Sequence, residues 1–86
     1  MTVEEIVEAY ADEISEWNFF SDHQVARMED DHILVCLRNY KWYITKEPIT
    51  DPLIAIKALF EIDWIAEYDD EEGEFYINYS KYWRKQ

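Results

Sequence analysis

Asp51-Pro52 opens a stretch, residues 52 to 67, that is apolar around most of a helix circumference: Leu53, Ile56, Leu59, Phe60 and Trp64 alternate with alanines, and Lys57 breaks the run. Aspartate accepts a backbone N–H as an N-cap, and proline at the first helical position gives up a donor that has no helical partner there. The helix start is therefore written locally. A chain of 86 residues holds one modest core. A helix apolar on nearly every side is expected at its centre, with the other elements packed around it.

A second helix is legible at the N-terminus. Thr2 followed by Glu5 fits a capping box, and Val3, Ile6, Val7, Tyr10, Ile14 and Trp17 recur at helical spacing, which predicts a helix over residues 3 to 17. Its other face reads Glu4, Glu5, Glu8, Asp12, Glu13 and Glu16. Neighbours such as Glu8 and Asp12 repel, at roughly a few tenths of a kcal/mol per pair. Something other than helix stability keeps them there.

Three β-prone runs follow the Asn18 to Ser21 turn: residues 23 to 29, 32 to 38 and 41 to 46. The middle run sets Ile33, Val35 and Leu37 on one face and Leu34, Cys36 and Arg38 on the other, the period of a covered strand. Asp30-Asp31 and Asn39-Tyr40 supply the hairpin turns, without the glycine that tight primed turns favour. Pro48 is expected to close the sheet. Glu67 to Glu74 reads as an acidic linker, and beyond it Phe75, Tyr79, Tyr82 and Trp83 sit at helical spacing, with Lys81, Arg84 and Lys85 placed to complement a helix C-terminus. Phe75, Ile77 and Tyr79 also alternate, so a fourth strand stays open beside the favoured helix. The expected fold is a single α+β domain over residues 1 to 86: an N-terminal helix, a three-stranded antiparallel meander and two helices (αβββαα).

Twenty acidic residues against eight lysines and arginines give a net charge of −12, which repels nucleic acid and anionic membranes. The charge is segregated. Residues 1 to 37 hold ten acids and Arg27 as the one Lys or Arg, and residues 59 to 74 hold eight acids and no base, whereas residues 38 to 58 are mildly basic. Cys36 is alone, which excludes an internal disulfide and points to a reducing, cytoplasmic setting with Cys36 in the core. Glu4, Glu5 and Glu8 stand where a signal peptide carries positive charge, and the longest apolar stretch, Leu53 to Phe60, is too short for a membrane span.

Catalytic chemistry finds little support in the residues. There is no glycine-rich phosphate loop, Ser15, Ser21 and Ser80 lie in no nucleophile motif, and His23 and His32 read as strand-surface residues. An EF-hand loop with Gly73 at its sixth position would place Tyr68 and Tyr79 where carboxylate ligands belong. No enzyme activity, cofactor or metal is expected. The acidic zones instead predict a surface for a basic partner, since Arg and Lys that normally hold phosphates can be occupied by carboxylates. The candidate contacts are Asp69, Asp70, Glu71, Glu72 and Glu74, flanked by Tyr68, Phe75 and Tyr76, together with Glu8, Asp12, Asp30 and Asp31.

The segment Trp64-Ile65-Ala66-Glu67-Tyr68-Asp69-Asp70-Glu71-Glu72-Gly73-Glu74-Phe75-Tyr76 resembles the Trp-x-x-Glu-Tyr, acidic run, Phe-Tyr pattern of the type II-A anti-CRISPR proteins, small phage-encoded inhibitors of Cas9. The likeness spans roughly residues 31 to 79, and its specific part is the acidic segment. It implies a DNA mimic that fills the site where guide-loaded Cas9 reads its protospacer-adjacent motif, with Asp70 and Glu71 as leading contacts and Asp69, Glu72 and Glu74 in support. This chain departs from the family at Arg38, Asn39, Tyr40 and Lys41, where the family carries acids, and at Gly73, which interrupts the acidic run. Two other readings stay open: an immunity protein or antitoxin that neutralises a basic nuclease toxin, and a prophage structural module whose charge keeps it soluble. The oligomeric state is left open as well.

Overall fold

The computed structural model describes residues 1–18, 24–37, 40–68 and 70–86, with residues 17, 18 and 70–72 as backbone only. The N-terminal helix α1 runs Val3–Asn18. Its start is a reciprocal capping box, in which the Glu5 amide donates to Thr2 Oγ1 at 3.2 Å and the Thr2 amide donates to Glu5 Oε1 at 3.3 Å. Val3, Ile6, Val7, Tyr10 and Ile14 are buried, as the spacing predicts.

Strands β1 (Ala26–Glu29), β2 (His32–Cys36) and β3 (Trp42–Thr45) form the antiparallel meander. Asp30 and Asp31 make the first turn with φ of 50° and 65°, a left-handed pair that aspartate tolerates and that matches the twist of a hairpin. In the second hairpin the Tyr40 amide donates to the Leu37 carbonyl at 2.9 Å, with Tyr40 at φ 61°; Arg38 and Asn39 lie outside the described residues. Ile33, Val35 and Leu37 enter the core, and Leu34 and Cys36 are buried on the other face. There Leu34 lies opposite Arg27 and Ile44, Cys36 opposite Trp42, and the Arg27 guanidinium stacks 4.6 Å from the Trp42 ring. His23, expected on the first strand, lies outside the described residues.

Helix α2 spans Pro52–Ala66, with the Leu53 amide donating to Asp51 Oδ1 at 2.9 Å, so its encoded start holds. Its expected burial on all sides does not. Ala55, Ala58, Leu59, Ile62 and Ile65 are buried, whereas Leu53, Ile56, Phe60 and Trp64 are 45 to 76 % exposed. The two sets occupy opposite sides of one helix, at spacings of three and four. Small Ala55 and Ala58 let α2 press close against its neighbours, and the bulky set is left on the outside.

The acidic segment is not a linker. Helix α3 runs Asp70–Ile77. Nor does the last helix continue to Trp83: a fourth strand, β4 (Trp83–Lys85), pairs antiparallel with β3, and the sheet order is β1-β2-β3-β4. Pro48 therefore does not close the sheet. The chain turns at Ser80, whose Oγ accepts from the amides of Tyr82 at 3.1 Å and Trp83 at 2.9 Å. Trp83 is fully buried, and its Nε1–H donates to the Ala58 carbonyl at 2.8 Å. Burying a tryptophan gains on the order of 4 kcal/mol, against under about 1 kcal/mol for each cation set near a helix C-terminus. Packing outweighs the charge pattern that favoured a helix at Trp83; the strand left open over residues 75 to 79 does not form, since Phe75 and Ile77 lie in α3 and Tyr79 in the turn after it. Among the described residues no helix is long and apolar enough to cross a membrane.

Candidate functional site

The expected contact residues fall into separate places. Glu8 and Asp12 are exposed on α1 and border a shallow hollow against Gln24, Val25 and Ala26. Asp30 and Asp31 are exposed in the first turn. Asp31 shares a second hollow with Glu4, and its carbonyl accepts from the Ile49 amide at 2.8 Å, which ties the turn to the chain entering α2. Asp69 lies outside the described residues, as do the side chains of Asp70, Glu71 and Glu72, whose backbone forms the first turn of α3.

Glu74 is engaged within the chain. Its carboxylate accepts from Lys41 and, at 3.3 Å, from Lys85 of β4, so α3 is clasped to the sheet. The hydrogen bond from Lys41, then that from Lys85, holds its carboxyl below the usual glutamate range. The basic residues that depart from the anti-CRISPR pattern thus include one, Lys41, with a partner inside the fold. Phe75 on the same helix and Tyr79 just beyond its end are exposed.

The feature that joins these elements is aromatic. Trp64 meets Tyr68 edge-on with ring centroids 5.0 Å apart, and meets Tyr76 at 5.4 Å. Tyr68 and Tyr76 approach to 4.6 Å, and Phe75 connects Tyr76 to Tyr79. These rings extend the outer stripe of α2, Leu53, Ile56, Phe60 and Trp64, onto α3. Small soluble domains rarely leave so continuous an apolar surface without a use for it. Carboxylates border it, since Asp63 and Glu67 lie on α2 and at its C-cap, and Asp63 lies within electrostatic reach of Glu13 on α1. Aromatic centre and charged rim are the anatomy of a protein-binding surface.

Between α1 and α2 this surface dips into a hollow of about 300 Å³, lined by Ile6, Tyr10, Glu13, Ile56, Phe60 and Asp63 among others. Burial, with Glu13 and Glu67 adding repulsion, pushes the Asp63 carboxyl above the ordinary range. The Tyr10 hydroxyl is pushed up chiefly by burial and then by Asp63 and Glu13, and it has no hydrogen-bond partner among the described residues.

The other reactive side chains are occupied by structure. His32 donates its Nδ1–H to the Thr45 carbonyl at 2.8 Å, and Cys36 is buried, which pushes its thiol up. Among the described residues no group of three or more His, Cys, Asp or Glu side chains is arranged to hold a metal. No protein-family model matches the chain, and neither the curated proteins nor the solved structures contain a match.

Reading the sequence missed the outer face of α2 and the position of Asp63. A signal was present: within residues 52 to 66 the small side chains, Ala55 and Ala58, share one side, and the largest, Phe60 and Trp64, share the other. A helix with its small residues on one side is built for close approach on that side.

Proposed function

We propose that this protein is an acidic docking protein that covers a basic, nucleic-acid-binding surface of a partner protein and so keeps nucleic acid away from it. The observation that carries this reading is the exposed aromatic and aliphatic face of α2 and α3 with its border of carboxylates. The net charge of −12 supplies long-range attraction to a basic partner, and the apolar centre supplies contact energy that does not depend on salt. A pure charge mimic would need no such centre. The anti-CRISPR resemblance makes guide-loaded Cas9 the first partner to test, with Asp70 and Glu71 at the acidic edge of the contact.

The test is capture of guide-loaded Cas9 by the protein, with and without target DNA, across a range of salt. The wild type is expected to bind, to compete with DNA, and to keep part of its affinity at high salt. Charge reversal by Asp70→Lys with Glu71→Lys should remove the salt-dependent part, and Phe60→Ser with Trp64→Ser the remainder. If the wild type neither binds nor competes, Cas9 is not the partner, and a nuclease toxin encoded beside the gene becomes the one to try. Binding untouched by both double variants would sink the assignment of this face.

A further inference from the structure

The hollow between α1 and α2 differs from the rest of the acidic surface. On α1 the exposed Glu8 and Asp12 border another hollow, with polar Ser15 and Gln24 in its lining, and Glu13 is exposed as well. Here Glu13 from one helix and Asp63 from the other stand at a recess whose walls include Ile6, Ile56, Leu59 and Phe60. Neither carboxylate has an ion-pair partner among the described residues. Tyr10, 9 % exposed, also lines the recess, with its hydroxyl buried, unpartnered among the described residues and in the field of the same two carboxylates. Buried polar groups are normally satisfied, which makes this end of the recess unusual.

A ligand that completes this recess has an apolar stem for the walls and a cationic head with several donors for the two carboxylates. We propose that the recess receives one arginine side chain of the basic partner, its stem along Ile56, Leu59 and Phe60 and its guanidinium between Glu13 and Asp63; this rests on the docking function proposed above. Arginine fits better than lysine for two reasons. Its planar head presents five donors, enough to serve both acids, and it is more weakly hydrated and stacks on an aromatic face such as Phe60. At about 300 Å³ the recess is at the lower end of the range for ligand sites, a size suited to a single side chain. The raised Asp63 carboxyl agrees with a cluster of acids that lacks a cation.

The experiment is an NMR titration of the isotopically labelled protein with Nα-acetyl-arginine methylamide, alongside the corresponding lysine and norleucine compounds. Saturable shifts are expected at the methyl groups of Ile6, Ile56 and Leu59 and at the Tyr10 ring, with arginine ahead of lysine and no response to norleucine. Glu13→Gln and Asp63→Asn should each weaken arginine binding about tenfold, the loss of one charged hydrogen-bond acceptor. No saturation at these groups, or binding unchanged in Asp63→Asn, overturns the proposal, as does an equal response along Glu8 and Asp12. The docking function is judged apart, by capture of the partner protein: wild-type capture that Asp63→Asn leaves unchanged removes the arginine recess and keeps the docking face. Arginine binding without capture keeps the recess and removes the assigned partner.

Discussion

The two sides of α2 are made from nearly the same residue types and meet opposite fates. One side, Ala55, Ala58, Leu59, Ile62 and Ile65, is the floor of the core, and the other, Leu53, Ile56, Phe60 and Trp64, faces outward. Apolar character therefore does not by itself assign a helix face to the interior. Volume does more, because an interior packs at near-crystal density and admits the side that lets backbones approach. The outer side is free to serve a partner, and substitutions there should separate stability from binding.

The largest expected effect is on the inner side. Ile62→Ala removes a fully buried side chain from the centre of the core and should lower the unfolding free energy by about 3 kcal/mol, read from urea denaturation. A loss under about 1 kcal/mol would mean that the inner side is not the packed one. At the seam between α2 and α3, Gly73→Ala should raise stability by about 1 kcal/mol. The added methyl meets the Ile65 carbonyl at an ordinary 3.6 Å while alanine removes the helix cost of glycine. Destabilisation instead would show that the two helices tolerate no added volume there.

Asp63 sits at the boundary between the two sides, and its effect is read from pH. Its carboxyl titrates above 3.8 in the folded chain, so the folded state holds the proton more tightly than the unfolded one. The penalty is full at neutral pH, shrinks as pH falls through the folded value, and is gone below 3.8. Glu74 runs the other way: its lowered carboxyl stabilises the fold above 4.5, and that contribution is lost as pH falls through its folded value. Stability of Asp63→Asn measured from about pH 7 to pH 4 should lack the wild type's rise on mild acidification, and an unchanged slope would assign that rise to other groups. The smallest change in stability belongs to the outer side. Phe60→Ser, at a position 76 % exposed, should shift the unfolding free energy by no more than about 0.5 kcal/mol. A larger loss would make the outer stripe part of the fold rather than a surface for a partner.

Much of the fold could be read before any coordinates. The Thr2 and Glu5 capping box, the Asp51-Pro52 start, the shared inward face of Ile33, Val35 and Leu37 and the Asp30-Asp31 turn all depend on neighbours a few residues apart, and each is found where local chemistry puts it. The candidate site was legible in part. Its acidic character and the aromatics beside the run were visible in the sequence, whereas the stripe on α2 and the meeting of Glu13 with Asp63 were not.

What the sequence determined by itself was charge segregation, helix starts, strand period and the amount of apolar surface to be buried, because these follow from composition and short-range spacing. Only the tertiary structure decided which side of α2 is inside, that Glu74 is held by Lys41 and Lys85, and that Trp83 ends the chain in a strand. Those outcomes turn on partners eleven to forty-two residues away, whose approach is set by packing volume and the pairing of the β3 edge. No local pattern carries that information.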